Sequence, residues 1–318
     1  MKLLITGGCG FIGSNFILHM LEKYPAYRII NLDKLTYAGN PKNLSKVWKN
    51  PNYTFIKGDI CDPQLVGKAM QNVDYVIHFA AESHVDRSIE DGSVFVRTNV
   101  LGTNVLLQAA LEKGIKKFIH ISTDEVYGSR KEGSFKESES LSPSSPYSSS
   151  KAGSDLLALA FHKTYGLPVL VTRCTNNFGP YQYPEKLIPF FISRLLENKK
   201  VPIYGRGENI RDWIYVRDHC LAVDFLLHKG KEGEIYNIGS GNELTNIDIT
   251  RRLLRILRKD ESKIEYVKDR KGHDFRYSLD CEKLKNMGWS PKYSFDTALE
   301  ATVNWYVENR WWWKALSF

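Results

Sequence analysis

The chain lacks most of the features that mark specialised classes of protein. Its five cysteines, Cys9, Cys61, Cys174, Cys220 and Cys281, are odd in number and have no short paired spacing. That pattern excludes a disulfide framework and a zinc site, so no metal is expected, and it fits a reducing compartment. No run of five or six like charges occurs, so the net charge of +8, from 44 basic and 36 acidic residues, is scattered. Such a balance suits anionic small molecules better than nucleic acid. No apolar stretch reaches the ~18 residues that crossing a bilayer requires. Met1 to Thr6 run straight into a strand-like segment with no charged leader or cleavage site, and internal repeats and Pro/Gly/Ser-rich tethers are absent. The expectation is a soluble, cytoplasmic protein with no membrane and no nucleic-acid partner. With 318 residues, 42% of them hydrophobic, there is material for one large core and a smaller annex.

What is present is a rhythm of apolar runs and helical periodicity. A strand is predicted over Lys2 to Thr6, ending in Gly7-Gly8-Cys9-Gly10-Phe11-Ile12-Gly13 and followed by Phe16, Ile17, Met20 and Leu21 at helical spacing. Further strands are predicted over 28–32, closed by Asp33, and over 53–57, 74–79, 117–121 and 167–173. Continuously apolar strands alternating with helices give an α/β fold, a Rossmann-type doubly wound parallel sheet. Beyond Asn176 the strands shorten and the rhythm loosens, which predicts a smaller C-terminal substrate-binding lobe.

Gly8-x-Gly10-x-x-Gly13, with Gly7 offering a second register, lies between strand and helix. There it permits a tight turn, close backbone approach to a pyrophosphate, and a helix N-terminus aimed at that group. Glycines alone also serve ordinary turns. Asp33, twenty residues past Gly13, adds a carboxylate able to accept from both ribose hydroxyls and to repel a 2′-phosphate, so NAD is expected over NADP; Lys34 beside it opposes that preference. The expected cofactor-binding residues are Gly7, Gly10, Phe11, Ile12 and Gly13 in the turn, and Asp33, Lys34, Leu35 and Thr36 after the second strand. Asp59 and Ile60 follow the third strand, Ala80, Ala81 and Ser83 the fourth, and Thr98, Tyr147, Lys151 and Asn177 complete the set. The NAD-binding domain is expected to span 1–175 and to carry the catalytic residues, with 176–318 forming the second lobe and elements exchanged between them.

Ser122-Thr123-Asp124-Glu125-Val126-Tyr127-Gly128 follows the fifth strand, and Pro146-Tyr147-Ser148-Ser149-Ser150-Lys151 opens a helix. Between them, 129–145 is a Ser- and Glu-rich surface excursion able to act as a lid. Tyr147 and Lys151, four apart, share one helical face. A nearby ammonium favours phenolate and lowers the tyrosine pKa towards working pH, which makes it a usable base. Neighbouring side chains on a strand point to opposite faces, so for Asp124 and Glu125 to act together the strand must end by Thr123. The plainer readings are a surface tyrosine with an i,i+4 neighbour and a solvated acidic turn.

The glycine turn, Asp33, Tyr147 and Lys151 resemble the extended short-chain dehydrogenase/reductase superfamily. Within it, residues 79–89, Ser122 to Gly128, Asn176 to Gln182, Pro184 to Pro189, Arg211-Asp212-Trp213 and residues 267–274 are similar to the dTDP-glucose 4,6-dehydratase family, and the likeness covers nearly the whole chain. It implies oxidation of the sugar at C4 by enzyme-bound NAD, elimination of water across C5 and C6, and hydride return to C6. Tyr147, assisted by Lys151, would take the 4-hydroxyl proton, Glu125 the C5 proton, Asp124 would protonate the departing 6-hydroxyl, and Thr123 would hydrogen-bond O4.

For the substrate, the resemblance implies Ser83, His84, Thr123, Asn176, Lys186, Leu187, Pro202, Tyr204, Arg211, Asn246, Arg270, His273 and Tyr277. It also implies a homodimer through a four-helix bundle built from 94–113 and 148–164, whose apolar residues occupy more than one face. Cys9 and Ser149, each where alanine is usual, and Gly241, where histidine is expected, depart from the pattern without removing a reacting group. The alternatives are a UDP-glucose 4,6-dehydratase, a sugar-nucleotide 4-epimerase and a non-catalytic NAD-binding scaffold. Trp311, Trp312 and Trp313 are expected to pack under the last helix.

Overall fold

A computed structural model describes residues 1–269 and 274–316. The first half of the chain supplies β1 (Lys2–Thr6), β2 (Arg28–Asp33), β3 (Tyr53–Lys57), β4 (Tyr75–His78), β5 (Lys117–Thr123) and β6 (Val169–Cys174). Shorter strands follow: β7 (Asn176–Phe178), β8 (Val201–Tyr204), β9 (Ile210–Tyr215), β10 (Ile235–Ile238), β11 (Glu243–Thr245) and β12 (Ile264–Val267). A 7-stranded sheet has the order β10-β6-β5-β4-β1-β2-β3, parallel throughout. Its order reverses between β1 and β4, and doubly wound sheets open their ligand crevice at that point, beyond the carboxyl ends of the strands. β10 comes from the second half yet completes the main sheet beside β6, while β11-β9-β7 and β12-β8 form small separate sheets.

The alternation of strand side chains divides the core. Leu3, Ile5, Ile119 and Ile121 join the cluster with Phe16, Ile17 and Met20; Leu4, Val76 and Phe118 join Leu106, Leu107 and Ala158 on the other face. Each such burial contributes roughly 1.5–3 kcal/mol. The Pro146–Tyr165 helix starts with a Ser145/Ser148 capping box and proline in its first turn, and stops at Gly166 with φ 69.

Two expectations are corrected. The helix Ser93–Lys113 is long and apolar enough to cross a membrane by length and composition, with mean hydropathy 1.2 despite its interspersed Asn and Thr; 44% of its apolar stretch is buried inside the protein. The 129–145 segment is a strap stitched down at several points instead of a free lid. The Phe135 N–H donates to Ser278 O at 2.9 Å, Asp280 N–H to Phe135 O at 2.9 Å, and Ser142 N–H to Val126 O at 3.0 Å. The Phe135 ring stacks on Tyr127 at 5.1 Å. One aromatic anchor outweighs the polar composition around it.

At the C-terminus Trp312 and Trp313 are buried, donating to Asn43 Oδ1 at 2.7 Å and Tyr306 O at 2.8 Å, while Trp311 is exposed.

Candidate active site

The glycine turn is demanded by its surroundings. A Cβ on Gly13 would lie 2.4 Å from Gly7 O, and one on Gly7, whose φ is +70, would lie 2.6 Å from Ala80 Cα. The helix Phe11–Lys23 begins at Gly10 with no side-chain cap, and Gly10, Phe11, Ile12 and Gly13 line a cleft with Gly7. Its first N–H groups and the positive end of its dipole are therefore available to an anion. Asp33 is buried at the end of β2, its carboxylate accepting from Cys9 N–H and Leu35 N–H, both at 2.8 Å. Burial pushes its pKa up and those two bonds oppose the shift. Lys34 Nζ sits 2.8 Å from Asp59 Oδ2, so the cation next to Asp33 has its partner on the neighbouring strand end. A backbone cradle, an uncapped helix start and a fixed carboxylate fit a dinucleotide.

Gly13→Ala is expected to weaken dinucleotide retention by more than about tenfold, since overpacking this contact costs on the order of 1–3 kcal/mol. Chromatography of the nucleotide released on denaturation checks it.

The same cleft is lined by Lys34, Thr36, Asp59, Ile60, Ala80, Ala81, Ser83, Thr98 and Asn177. Leu35 is not among the lining residues, and its contribution is the N–H held by a left-handed backbone with φ 58.

β5 stops at Thr123 and a tight helical turn, Asp124–Tyr127, follows. Thr123 Oγ1 donates to Asp124 Oδ1 at 3.1 Å and accepts from Glu125 N–H at 3.3 Å. Asp124 is 3% exposed, and burial, reinforced by the charge of Glu125, pushes its carboxyl up to about 8. At neutral pH it is therefore a proton donor. Lys151 is buried and donates from Nζ to Ile121 O at 2.7 Å; burial pulls its ammonium down to about 8.

Tyr147 corrects the sequence reading. Burial first and then Glu125 push its phenol well above the ordinary value, against the hydrogen bond with Thr123, so the expected lowering by Lys151 does not prevail here. Thr123, Asp124, Glu125, Tyr147 and Lys151 all line the one cleft.

Among the expected substrate residues, Ser83, Asn176, Lys186 and Leu187 also line it. Lys186 Nζ donates to Ser83 O at 2.9 Å. His84, Pro202, Tyr204, Arg211, Asn246 and Tyr277 are outside the lining. Arg211 is buried with its guanidinium 4.2 Å from the Tyr277 ring and its nitrogens on Ile210 O at 2.7 Å and Asp274 O at 2.9 Å. Tyr277 Oη donates to Asp274 Oδ2 at 2.5 Å. Arg270 and His273 lie outside the described residues.

Cys174, Gln182, Glu82 and Glu185 line the cleft without having been singled out. Cys174 had a readable signal, being at the carboxyl end of β6 in register with Thr123. Glu185 had only its place in the Pro184 to Pro189 stretch: it accepts from Tyr37 Oη at 2.8 Å and approaches His84 Nε2 at 3.7 Å, contacts between segments far apart in sequence.

A glycine turn at the switch point of a parallel sheet, an acid at the end of β2, and Tyr147 and Lys151 on the helix after β5 define an extended short-chain dehydrogenase/reductase. The chain belongs to the GDP-mannose 4,6 dehydratase family, whose profile matches residues 4–302. It is 52% identical over 322 residues to the dTDP-glucose 4,6-dehydratase of Streptomyces antibioticus, covering 99% of this chain and 95% of that protein. Its structure matches DesIV, a dTDP-glucose 4,6-dehydratase from Streptomyces venezuelae solved with NAD and TYD bound, at TM-score 0.98 and 53% identity over 100% of both chains. It also matches the dTDP-glucose 4,6-dehydratase of Bacillus anthracis in complex with NAD at TM-score 0.94 and 50% identity, again over 100% of both chains.

Proposed function

We propose that the protein is an NAD-dependent dTDP-glucose 4,6-dehydratase, a hydro-lyase that forms dTDP-4-keto-6-deoxyglucose and water in deoxysugar biosynthesis. The observation that carries this reading is the placement of Asp124, a buried carboxyl, beside Glu125 in the cleft that holds Tyr147 and Lys151, where burial pushes it up to about 8. A redox site alone needs no such acid. Two adjacent carboxyls with separated environments are what an elimination needs, one to remove a proton and one to donate it.

Gly7, Gly10, Gly13 and Asp33 would hold NAD, which when bound supplies oxidation at C4 and the later reduction at C6. Tyr147 takes the 4-hydroxyl proton, and Lys151 beside it stabilises the phenolate. The resulting carbonyl acidifies C5–H. Glu125 removes that proton and Asp124 protonates the departing 6-hydroxyl, which leaves as water; when hydride returns to C6, C5 is reprotonated, and Thr123 donates to O4 as charge develops there. Asn176 and Lys186, which line the same cleft, suit the diphosphate.

Residues 1–175 act mainly on the cofactor and 176–318 mainly on the nucleotide, with β10 returned to the main sheet. Exposed Val96, Leu101 and Leu156 on the helices Ser93–Lys113 and Pro146–Tyr165 support a homodimer through a four-helix bundle. Five free thiols support a reducing, cytoplasmic setting.

The purified protein incubated separately with dTDP-glucose and UDP-glucose is expected to form the 4-keto-6-deoxy product, seen by NMR, faster from dTDP-glucose. No product from either sugar overturns the reading.

A further inference from the structure

The loop that follows Asp33 is joined to the second lobe by a side-chain contact that the steps above do not use. Residues 34–39 form a small loop whose two ends rest on Cys9: the Asp33 carboxylate accepts from Cys9 N–H at 2.8 Å, and Asn40 N–H donates to Cys9 O at 2.9 Å. Thr36, Ala38 and Gly39 line the cleft, whereas Tyr37 between them does not. Its side chain reaches instead to the second half of the chain. Tyr37 Oη donates to Glu185 Oε1 at 2.8 Å, and its ring meets that of Tyr183 edge-on at 5.4 Å between centroids. The Arg87 guanidinium lies 3.8 Å from the Tyr37 ring centroid, with Nη2 3.9 Å from Glu185 Oε2. His84 Nε2 completes the group, 3.7 Å from the same oxygen.

Three segments thus converge on one carboxylate. They are the loop after β2, the start of the Val85–Glu90 helix after β4, and the turn at 183–186, whose Glu185 and Lys186 line the same cleft as Thr36. Lys186, suited to the diphosphate, is tied in turn to Ser83 O at 2.9 Å. The Glu185 side chain is only 9% exposed. Burying a carboxylate is costly unless its partners answer the charge, and here a phenol, a guanidinium and an imidazole surround it. Burial, with Glu185 beside it, pushes the Tyr37 phenol up, so that group remains the donor.

The order of the chemical steps gives this contact a use. Hydride taken from C4 returns to C6 only after water has left, so the reduced dinucleotide has to stay in place while the bound sugar is a 4-keto-5,6-ene. Escape of the dinucleotide at that stage removes the two electrons and leaves the alkene unreduced. We infer that Glu185 and Tyr37 are positioning residues for the reaction: their bond ties the cofactor loop to the substrate lobe and retains the dinucleotide between oxidation and hydride return. This rests on the function proposed above.

A chase of bound nucleotide tests the tie without any sugar present. Full-length protein is loaded with 14C-labelled NAD and mixed with excess unlabelled NAD, and the label retained is followed by rapid gel filtration. Tyr37→Phe deletes one hydroxyl and keeps the ring against Arg87 and Tyr183. It is expected to release label about tenfold faster or more, the usual effect of losing a hydrogen bond to a charged group. Glu185→Ala should also speed release, and the double variant should be no faster than the faster single one, because both changes remove the same interaction. Release from Tyr37→Phe within about twofold of wild type overturns the proposal; if its melting temperature without nucleotide falls at the same time, the contact is a structural clip only. Effects that multiply in the double variant overturn it as well, since each residue then acts alone. Failure of wild-type protein to process either sugar nucleotide would instead overturn the proposed function and leave the chase unaffected.

Discussion

Tyr147→Phe is expected to lower turnover of dTDP-glucose by about 10²–10⁴-fold, the usual contribution of a positioned base, while leaving the protein folded. The substitution deletes one hydroxyl. The ring, 8% exposed and 6.3 Å from Phe95 by centroid, keeps its packing, so the change in stability should stay near 1 kcal/mol. Rapid mixing with substrate, followed by absorbance of the reduced cofactor, separates this outcome from a defect in elimination: in the Phe variant the cofactor should stay oxidised. A variant within tenfold of wild type would show that Tyr147 is not the base. Because burial and Glu125 hold the phenol above its ordinary value, its base form becomes scarcer as pH falls. The wild-type rate should therefore rise with pH from the acid side, and a tyrosine lowered by lysine alone would give a plateau instead.

The direction of that shift is a tertiary property, and it marks the boundary of what the chain discloses. Strands β1 to β6 were legible because each is a continuous apolar run between helical repeats, the pattern of strands covered on both faces. β7 and β11, with 3 residues each, are too short to show any periodicity, and the sequence, though it pointed to elements exchanged between the lobes, does not single out β10 as the strand that rejoins the main sheet. Thr123, Asp124, Glu125, Tyr147 and Lys151 were legible because strand ends and helix starts place them together. Arg211 looks from its charge like an anion ligand, yet its nitrogens are directed to the carbonyls of Ile210 and Asp274. Phe135 reads as one apolar residue in a polar loop, and only its stack on Tyr127 reveals an anchor. The deciding contacts, β10 on β6, Arg211 on Asp274 and Phe135 on Tyr127, are made only once the chain has folded, and composition and spacing carry no information about them.

Glu125→Gln is expected to abolish dehydration, with product formation down by about 10³-fold, while C4 oxidation continues and reduced cofactor accumulates after substrate is added. Gln keeps the shape but cannot accept the C5 proton, and nothing in the Tyr147 step requires Glu125. The variant should also relieve its neighbours, since the charge of Glu125 raises both Asp124 and Tyr147. Oxidation in Glu125→Gln should therefore persist to lower pH than in wild type. The companion Asp124→Asn should likewise oxidise but eliminate slowly, because its amide cannot protonate the leaving hydroxyl.

The pH sign for Asp124 follows from its raised value. In the folded protein the carboxyl is neutral up to about 8, whereas unfolded it ionises near 3.8, so its contribution to stability declines as pH rises from 3.8 and is gone by about 8, while its service as an acid in turnover is lost as pH rises through about 8. Asp124→Asn, with nothing to ionise, should flatten that loss of melting temperature between pH 3.8 and about 8. Wild-type elimination should decline above pH of about 8 with oxidation less affected. Single-turnover measurement of reduced cofactor and of 4-keto product across pH resolves the two limbs. If Glu125→Gln dehydrates at the wild-type rate, or if elimination and oxidation share one alkaline limb, the division of labour between the Thr123–Glu125 turn and the Tyr147/Lys151 pair is wrong.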